Sequence, residues 1–298
     1  MANMHEIKLR IKGVKQTRQM TKAMELISAV KLKKARQQLE LTLPFFEKVR
    51  STMADIVMHS GEIDSIYFDK RPNKKHKKGY IVITSDKGLA GGYNHDVIKL
   101  TESLITNEDN YELYVMGHIG RIHFEKNKYR LREDFDYSAQ NPDVYRAREL
   151  MEYFIKKFVK QELDEVYIIY TLMESAIKRE PKLLKLLPLE RDELLKDLNI
   201  DLNENNRNSV SERLIYEPSE KAVFDVLVPK YVKGIIYGAL VESFTCEYSE
   251  RMTAMDNATA NADEMLEKFY LYYNRARQAS ITQEISEIVG GAQVLGKN

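Results

Sequence analysis

ALVESFTCEYSERMTAMDNATANADEMLEKFYLYYNRARQASITQEISEIV, residues 239–289, runs for 51 positions without a glycine or a proline, and Gly290 and Gly291 interrupt it only near the C-terminus. Glycine and proline are the usual punctuation of a helix. Their absence predicts one helix of roughly 75 Å at 1.5 Å rise per residue, far beyond the three or four turns common in globular proteins. Phe244, Tyr248, Met252, Met255, Ala258, Ala262, Leu266, Phe269, Tyr273 and Ala276 step by fours and threes along one stripe of it. A helix that long cannot cover such a stripe itself, so the stripe calls for a partner helix.

Residues 14–43 supply a candidate partner, since they too contain no glycine or proline. Ile7, Ile11 and Val14 form one apolar group; Met20, Met24 and Ile27 form a second, shifted in phase; Leu32, Ala35 and Leu39 continue after another shift. Shifts of this kind read either as stutters in a coiled coil or as a helix that shows different faces to different neighbours. The simplest architecture is an antiparallel pair of terminal helices with a compact domain inserted between them.

An apolar content of 43% over 298 residues is enough for a packed core and excludes a disordered chain. The net charge of +1 hides an asymmetry, because residues 1–50 hold 12 Lys or Arg against 4 Asp or Glu. Nucleic acid, anionic lipid headgroups and an acidic protein surface all fit that excess, and charge alone does not choose among them. The single cysteine, Cys246, excludes an internal disulfide and a Cys-rich metal cage, and makes a reducing compartment the default. It reads as a packed helix residue. The start MANMHEIKLRIKG has no apolar core of a secretory signal, and no stretch approaches the ~20 apolar residues that span a bilayer. The expectation is a soluble or peripheral, unprocessed, bacterial chain.

From Gly79 to Leu187 strand and helix signals alternate, the pattern of an open α/β sheet. Tyr80–Thr84 (YIVIT), Leu113–Met116 and Val166–Thr171 read as strands, and Lys182–Leu187 as an added edge strand. Helical spacing follows at Asp96–Ile105, after GHIGR, and at Arg146–Val159. The turn SDKGLAGGYN invites a phosphate-binding reading, but GLAGG has neither the G-x-G-x-x-G nor the P-loop spacing, and Asp86 beside it would repel a phosphate. A structural turn is the preferred reading.

No catalytic constellation emerges. The six histidines have no H-E-x-x-H spacing, Ser85 and Ser175 lack a nucleophile elbow, and carboxylate pairs mean little in a chain that is 31% charged. The basic stretch Lys70–Lys78 (KRPNKKHKK) could touch RNA, lipid or an acidic partner, although a solvated linker broken by Pro72 and Asn73 is the commoner explanation. Two rival classes stay open at this level: a nucleic-acid binder using these lysines, and a nucleotide-using enzyme on the α/β domain.

The terminal blocks narrow the choice. IKLRIKGVKQTRQMTKAMELISAVKLKKARQQLE at the start, and RMTAMDNATANADEMLEKFYLYYNRARQASITQEISEIVGGAQVL at the end, closely resemble the gamma subunit of F-type rotary ATP synthases. TSDKGLAGGYN resembles that family's TSD-x-G-L-x-G-G-x-N turn, and with LIYEP near Glu217 the resemblance spans essentially the whole chain.

The resemblance implies an asymmetric, left-handed antiparallel coiled coil of the terminal helices carrying a Rossmann-like α/β domain that binds no nucleotide. The implied domains are residues 1–60 (helix), 61–78 (basic linker), 79–210 (α/β domain) and 211–298 (helix with a short lead-in). It implies a central-stalk rotor without cofactor, metal or catalytic residue, coupling ion flow through a ring of c subunits to catalysis on beta. The partners implied are the alpha and beta hexamer, epsilon and the c ring, with no nucleic acid. Membrane association is then peripheral, on the cytoplasmic side of a bacterial cell membrane, through the complex alone. Arg277, Gln278 and Thr282 match residues that engage catch loops of beta; Met24 matches the position facing beta's acidic lever; Glu217 matches a foot residue near the loops of c. One departure is Leu214, where the family often has Tyr.

Overall fold

The computed structural model describes residues 4–60, 63–71, 76–106, 110–173, 179–196 and 216–295. Leu214, Ser175 and the middle of the basic linker therefore lie outside the described residues. Two compact units are present: Met1–Ala29 with Arg251–Asn298, and Val30–Glu250.

The terminal helices are longer than their glycine- and proline-free runs. α1 spans Met4–His59 and continues through Pro44. The last helix, here α6, spans Glu220–Leu295 and passes Pro229, Gly234, Gly238 and Gly290, so the glycines expected to interrupt it do not. An internal proline costs a helix about 3 kcal/mol. Burial around both prolines offsets that cost: Val49, Met53 and Ile56 follow Pro44, and Phe224, Val228 and Val232 flank Pro229, all in one core. Gly234 has a packing reason, since a Cβ there would sit 2.5 Å from Cδ1 of the Phe46 ring.

In the first unit the two helices run antiparallel. Ile7, Ile11 and Val14 pack with Leu266, Phe269, Tyr273 and Ala276, while farther along Thr21 meets Thr259 and Arg18 pairs with Asp263. Each residue of the expected α6 stripe is buried or half-buried. The α1 expectation needs correction at its second group, because Met20 and Ile27 are 63% and 56% exposed. Burial instead follows one heptad register through Ile7, Ile11, Val14, Thr21, Glu25, Ser28, Leu32, Ala35 and Leu39, with no phase shift and with a gap only at the exposed Arg18, which pairs with Asp263. Thr21 and Ser28 tolerate burial because each hydroxyl donates to a carbonyl of its own helix, Arg18 at 3.0 Å and Met24 at 2.6 Å. A reading by hydrophobicity selects the larger neighbours one position away.

The second unit holds a four-stranded sheet of β1 (Lys78–Ile83), β2 (Tyr111–Met116), β3 (Glu165–Met173) and β4 (Arg179–Leu187), in the order β2-β1-β3-β4. β1 is parallel to both β2 and β3, and β4 is an antiparallel edge, as expected for Lys182–Leu187. The crossovers are α2 (Tyr93–Ile105), α3 (His118–Lys126) and α4 (Val144–Val159); α5 (Arg191–Lys196) follows β4. Successive residues of β1 face opposite cores. Tyr80 and Val82 join Val97, Ile98 and Phe124 of α2 and α3, whereas Ile81 and Ile83 join Phe154 and Phe158 of α4 with Met53 of α1 and Val232 of α6. Burial on both faces is why YIVIT is continuously apolar rather than alternating.

Candidate partner-contact site

The turn after β1 lies where the chain crosses to β2 on one side and β3 on the other, the usual ligand crevice of such sheets. Here the protein's own groups fill it. In the first turn of α3 the amide of His118 donates to Asp86 Oδ1 at 3.2 Å, that of Ile119 to the Ser85 carbonyl at 3.1 Å, and that of Gly120 to Thr84 Oγ1 at 3.1 Å. These donors would otherwise cradle a phosphate. Asp86 also accepts from Ser138 Oγ at 2.6 Å, and Asp96 adds a second negative charge in the first turn of α2. Asn94 accepts from the Ser85 amide at 2.9 Å, which closes the turn onto α2. Gly91 (φ +54°) packs on α6, where a Cβ would meet Glu250 Oε2 at 2.5 Å. The turn is thus a structural knot between β1, α3 and α6.

The basic stretch is also internally committed at its described ends. Arg71 is buried, donates to Asp164 Oδ1 at 2.8 Å and to the carbonyls of Phe158 and Leu163, and lies over the Phe158 ring. His76 pairs with Glu165 at 3.3 Å and Lys77 with Glu112 at 2.8 Å. Glu112 is held below its ordinary range: burial opposes this, but hydrogen bonds from Lys77 and Tyr114 outweigh it. These cations anchor the entry to β1. Of the other histidines, His59 pairs with Asp55 and His123 with Glu102. Among the described residues no cluster of three His, Cys, Asp or Glu side chains could hold a metal ion. Cys246 is buried in a cluster with Ala90 and Tyr93, and burial first, then Glu242, pushes its thiol up to about 12, which leaves it inert as a nucleophile.

The five residues matched to partner contacts fall in three places. Arg277, Gln278 and Thr282 are exposed on α6 just past Ala276, the last residue of the packed stripe. Thr282 donates to the Gln278 carbonyl at 2.9 Å, so its hydroxyl is directed along the helix. Met24 is half-buried on α1. Glu217 is exposed just before α6, beside Tyr216. The first four belong to one unit and Glu217 to the other.

Two exposed apolar faces escaped the reading from sequence. On α1, Met20, Leu26, Ile27 and Val30 stand out on a helix rich in Lys and Arg. On α6, Ile281, Ile285, Ile288 and Val289 form an exposed i, i+4, i+7, i+8 stripe. Contiguous exposed apolar surface is a common sign of an interaction site. The signal for the second was already present in the spacing past Ala276.

A family model described as ATP synthase matches residues 3–295. The chain is similar to the ATP synthase gamma chain of Acetivibrio thermocellus, at 57% identity over 296 residues covering 99% of this chain and 100% of the relative. It is similar to that of Ruminiclostridium cellulolyticum at 58% identity, with 98% and 99% covered. The Acetobacterium woodii protein named ATP synthase gamma chain, sodium ion specific, is 41% identical, with 98% and 99% covered. Among solved structures, a chain of the Euglena gracilis mitochondrial ATP synthase (OSCP/F1/c-ring, rotational state 3) superposes with a TM-score of 0.67 at 17% identity, covering 98% of this chain and 94% of that one, a likeness of fold. With the site's exposed helix faces and closed turn, these matches lead to one conclusion: the chain belongs to the gamma-chain family of F-type ATP synthases, the non-catalytic stalk of the rotor.

Proposed function

We propose that this stalk touches beta through Arg277, Gln278 and Thr282 of α6 and through Met24 of α1, and touches the c ring through Glu217. Met20, Leu26, Ile27 and Val30 extend the α1 surface, and the isoleucine stripe from Ile281 to Ile288 extends that of α6. One observation carries the reading: α6 continues to Leu295 past Ala276, its last packed residue, and over residues 277–290 polar and apolar side chains are exposed together. Such a face suits a sleeve of surrounding subunits. Weak exposed polar contacts also suit a rotor, which must grip and release at every step. Because α1 and α6 present different side chains around the shaft, each catalytic subunit meets a different face in turn and is biased among its conformations.

The surplus of Lys and Arg on α1 fits an acidic segment of beta. The α/β domain (79–210) and the foot then face epsilon and the ring, with 1–60 and 211–298 as the shaft and 61–78 as the linker. No helix among the described residues is long and apolar enough to cross a membrane, and attachment to the cytoplasmic face of the cell membrane runs through the complex. Co-expression with alpha and beta tests this. A complex holding one copy of this chain per three alpha–beta pairs is expected, and a chain that never joins such a hexamer overturns it.

A further inference from the structure

Glu217 belongs to neither helix, so whatever it receives must reach the shaft through its neighbours. One route is along the backbone: Pro218, then Ser219, whose hydroxyl accepts from the Ala222 amide at 3.2 Å and caps α6. Alone, that route would make the short segment 216–219 a hinge.

A second route runs sideways into the other helix. Tyr216 is half-buried, and its hydroxyl donates to Asp55 Oδ2 of α1 at 2.6 Å, the length of a charge-assisted O–H···O bond. The other oxygen, Asp55 Oδ1, lies 3.1 Å from His59 Nδ1 one turn along. Asp55 is itself a firm post, since its neighbours Ala54 and Ile56 are fully buried. The first turns of α6 are fastened separately, to the segment after α1: Asp225 accepts from Ser65 Oγ at 2.6 Å, Lys221 donates to the Asp64 carbonyl, and Phe224 stacks on Phe68 with centroids 5.0 Å apart. Against that set, Tyr216 is the side chain next to Glu217 that reaches α1.

We infer that Tyr216 and Asp55 are positioning residues that tie the Glu217 segment to α1, so that torque entering at the foot reaches α1 directly as well as through α6 and the core the two helices share. The inference rests on the reading of Glu217 as the ring contact. Two helices loaded in parallel twist less than one for the same torque, and the bond removes the hinge at 216–219.

The test is the torsional stiffness of the rotor in the assembled ATP synthase, from the angular fluctuations of a probe on the ring with the catalytic subunits held. Y216F removes only the hydroxyl, and D55A removes its acceptor; each is expected to lower stiffness, and the double variant to lower it no further than either. D55N keeps an oxygen that can accept from Tyr216 and should restore part of the stiffness. Stiffness unchanged in Y216F and D55A overturns the inference. So does a fall in assembly yield of both with wild-type stiffness in the complexes that do form, which would make the bond merely structural. E217Q separates the two readings. If E217Q leaves ATP-driven ion transport at wild type, the ring contact is elsewhere even where Y216F softens the rotor; if E217Q impairs transport while Y216F changes nothing, the contact stands and the tie falls.

Discussion

The hydroxyls of Thr21 and Thr259 meet at 2.7 Å inside the paired helices, both buried; each also lies within hydrogen-bond reach of a carbonyl of its own helix, Arg18 for Thr21 and Met255 for Thr259, and the hydroxyl that donates its one proton across the seam gives up its own carbonyl. Beside them Arg18 of α1 pairs with Asp263 of α6. Polar groups inside a helical seam specify register, because sliding one helix would set a hydroxyl against apolar atoms. The pair therefore fixes which residue of α1 faces which residue of α6.

The first prediction concerns that pair. T21V should cost the isolated chain about 0.5–1.5 kcal/mol, since it removes both the contact with Thr259 and the one with the Arg18 carbonyl but leaves Thr259 with a partner on its own helix. T21V with T259V should cost less than the sum of the two single changes, because no polar group is left facing an apolar one. Denaturant titration of the four proteins measures the coupling; additive costs would show that the two hydroxyls do not interact.

R277A and Q278A should leave the free chain within about 0.5 kcal/mol of wild type, because both side chains are exposed on α6. In the assembled enzyme the same changes should weaken torque or coupling. Unfolding of the free chain by either would assign these residues to packing instead.

Gly117 opens α3 at φ +87°, and a Cβ there would lie 2.2 Å from the Thr84 carbonyl oxygen. G117A should destabilise the α/β unit by at least about 1–3 kcal/mol from backbone strain, with the clash in addition. A thermal midpoint equal to wild type would mean that the turn after β1 is not closed on α3 as described.

Burial raises the Glu242 carboxyl above its ordinary value of 4.5, against the amide of Met173 and the charge of Arg36, which lower it. A carboxyl raised on folding contributes stability that is present below 4.5 and is lost as pH rises through the folded value. E242Q should therefore flatten the pH dependence of stability just above 4.5 and raise stability at neutral pH relative to wild type. Parallel pH profiles for the two proteins would sink this account.

Much of the architecture was legible because long helices and buried strands carry strong local signals. The stripe from Phe244 to Ala276 has the period of a helix, and YIVIT can only be a strand buried on both faces or a fragment of buried helix, which the glycines after it decide. The seam of α1 was misread at Met20 and Ile27 because hydropathy cannot tell that Thr21 and Ser28 satisfy their hydroxyls on their own helix. The contact residues came from resemblance, not spacing: an exposed Arg277 has the same local pattern as any solvated helix residue.

The sequence by itself determined that two helices of unusual length bracket an α/β domain, since absence of helix breakers and a sustained 3/4 spacing are local properties. Only the tertiary structure decided that those helices run on through Pro44, Pro229 and Gly234, because these are tolerated when packing offsets the missing hydrogen bond or needs the missing Cβ. It also decided the fate of the glycine turn. Whether amides after a strand bind phosphate depends on what else reaches them, and here Thr84, Ser85 and Asp86 arrive first.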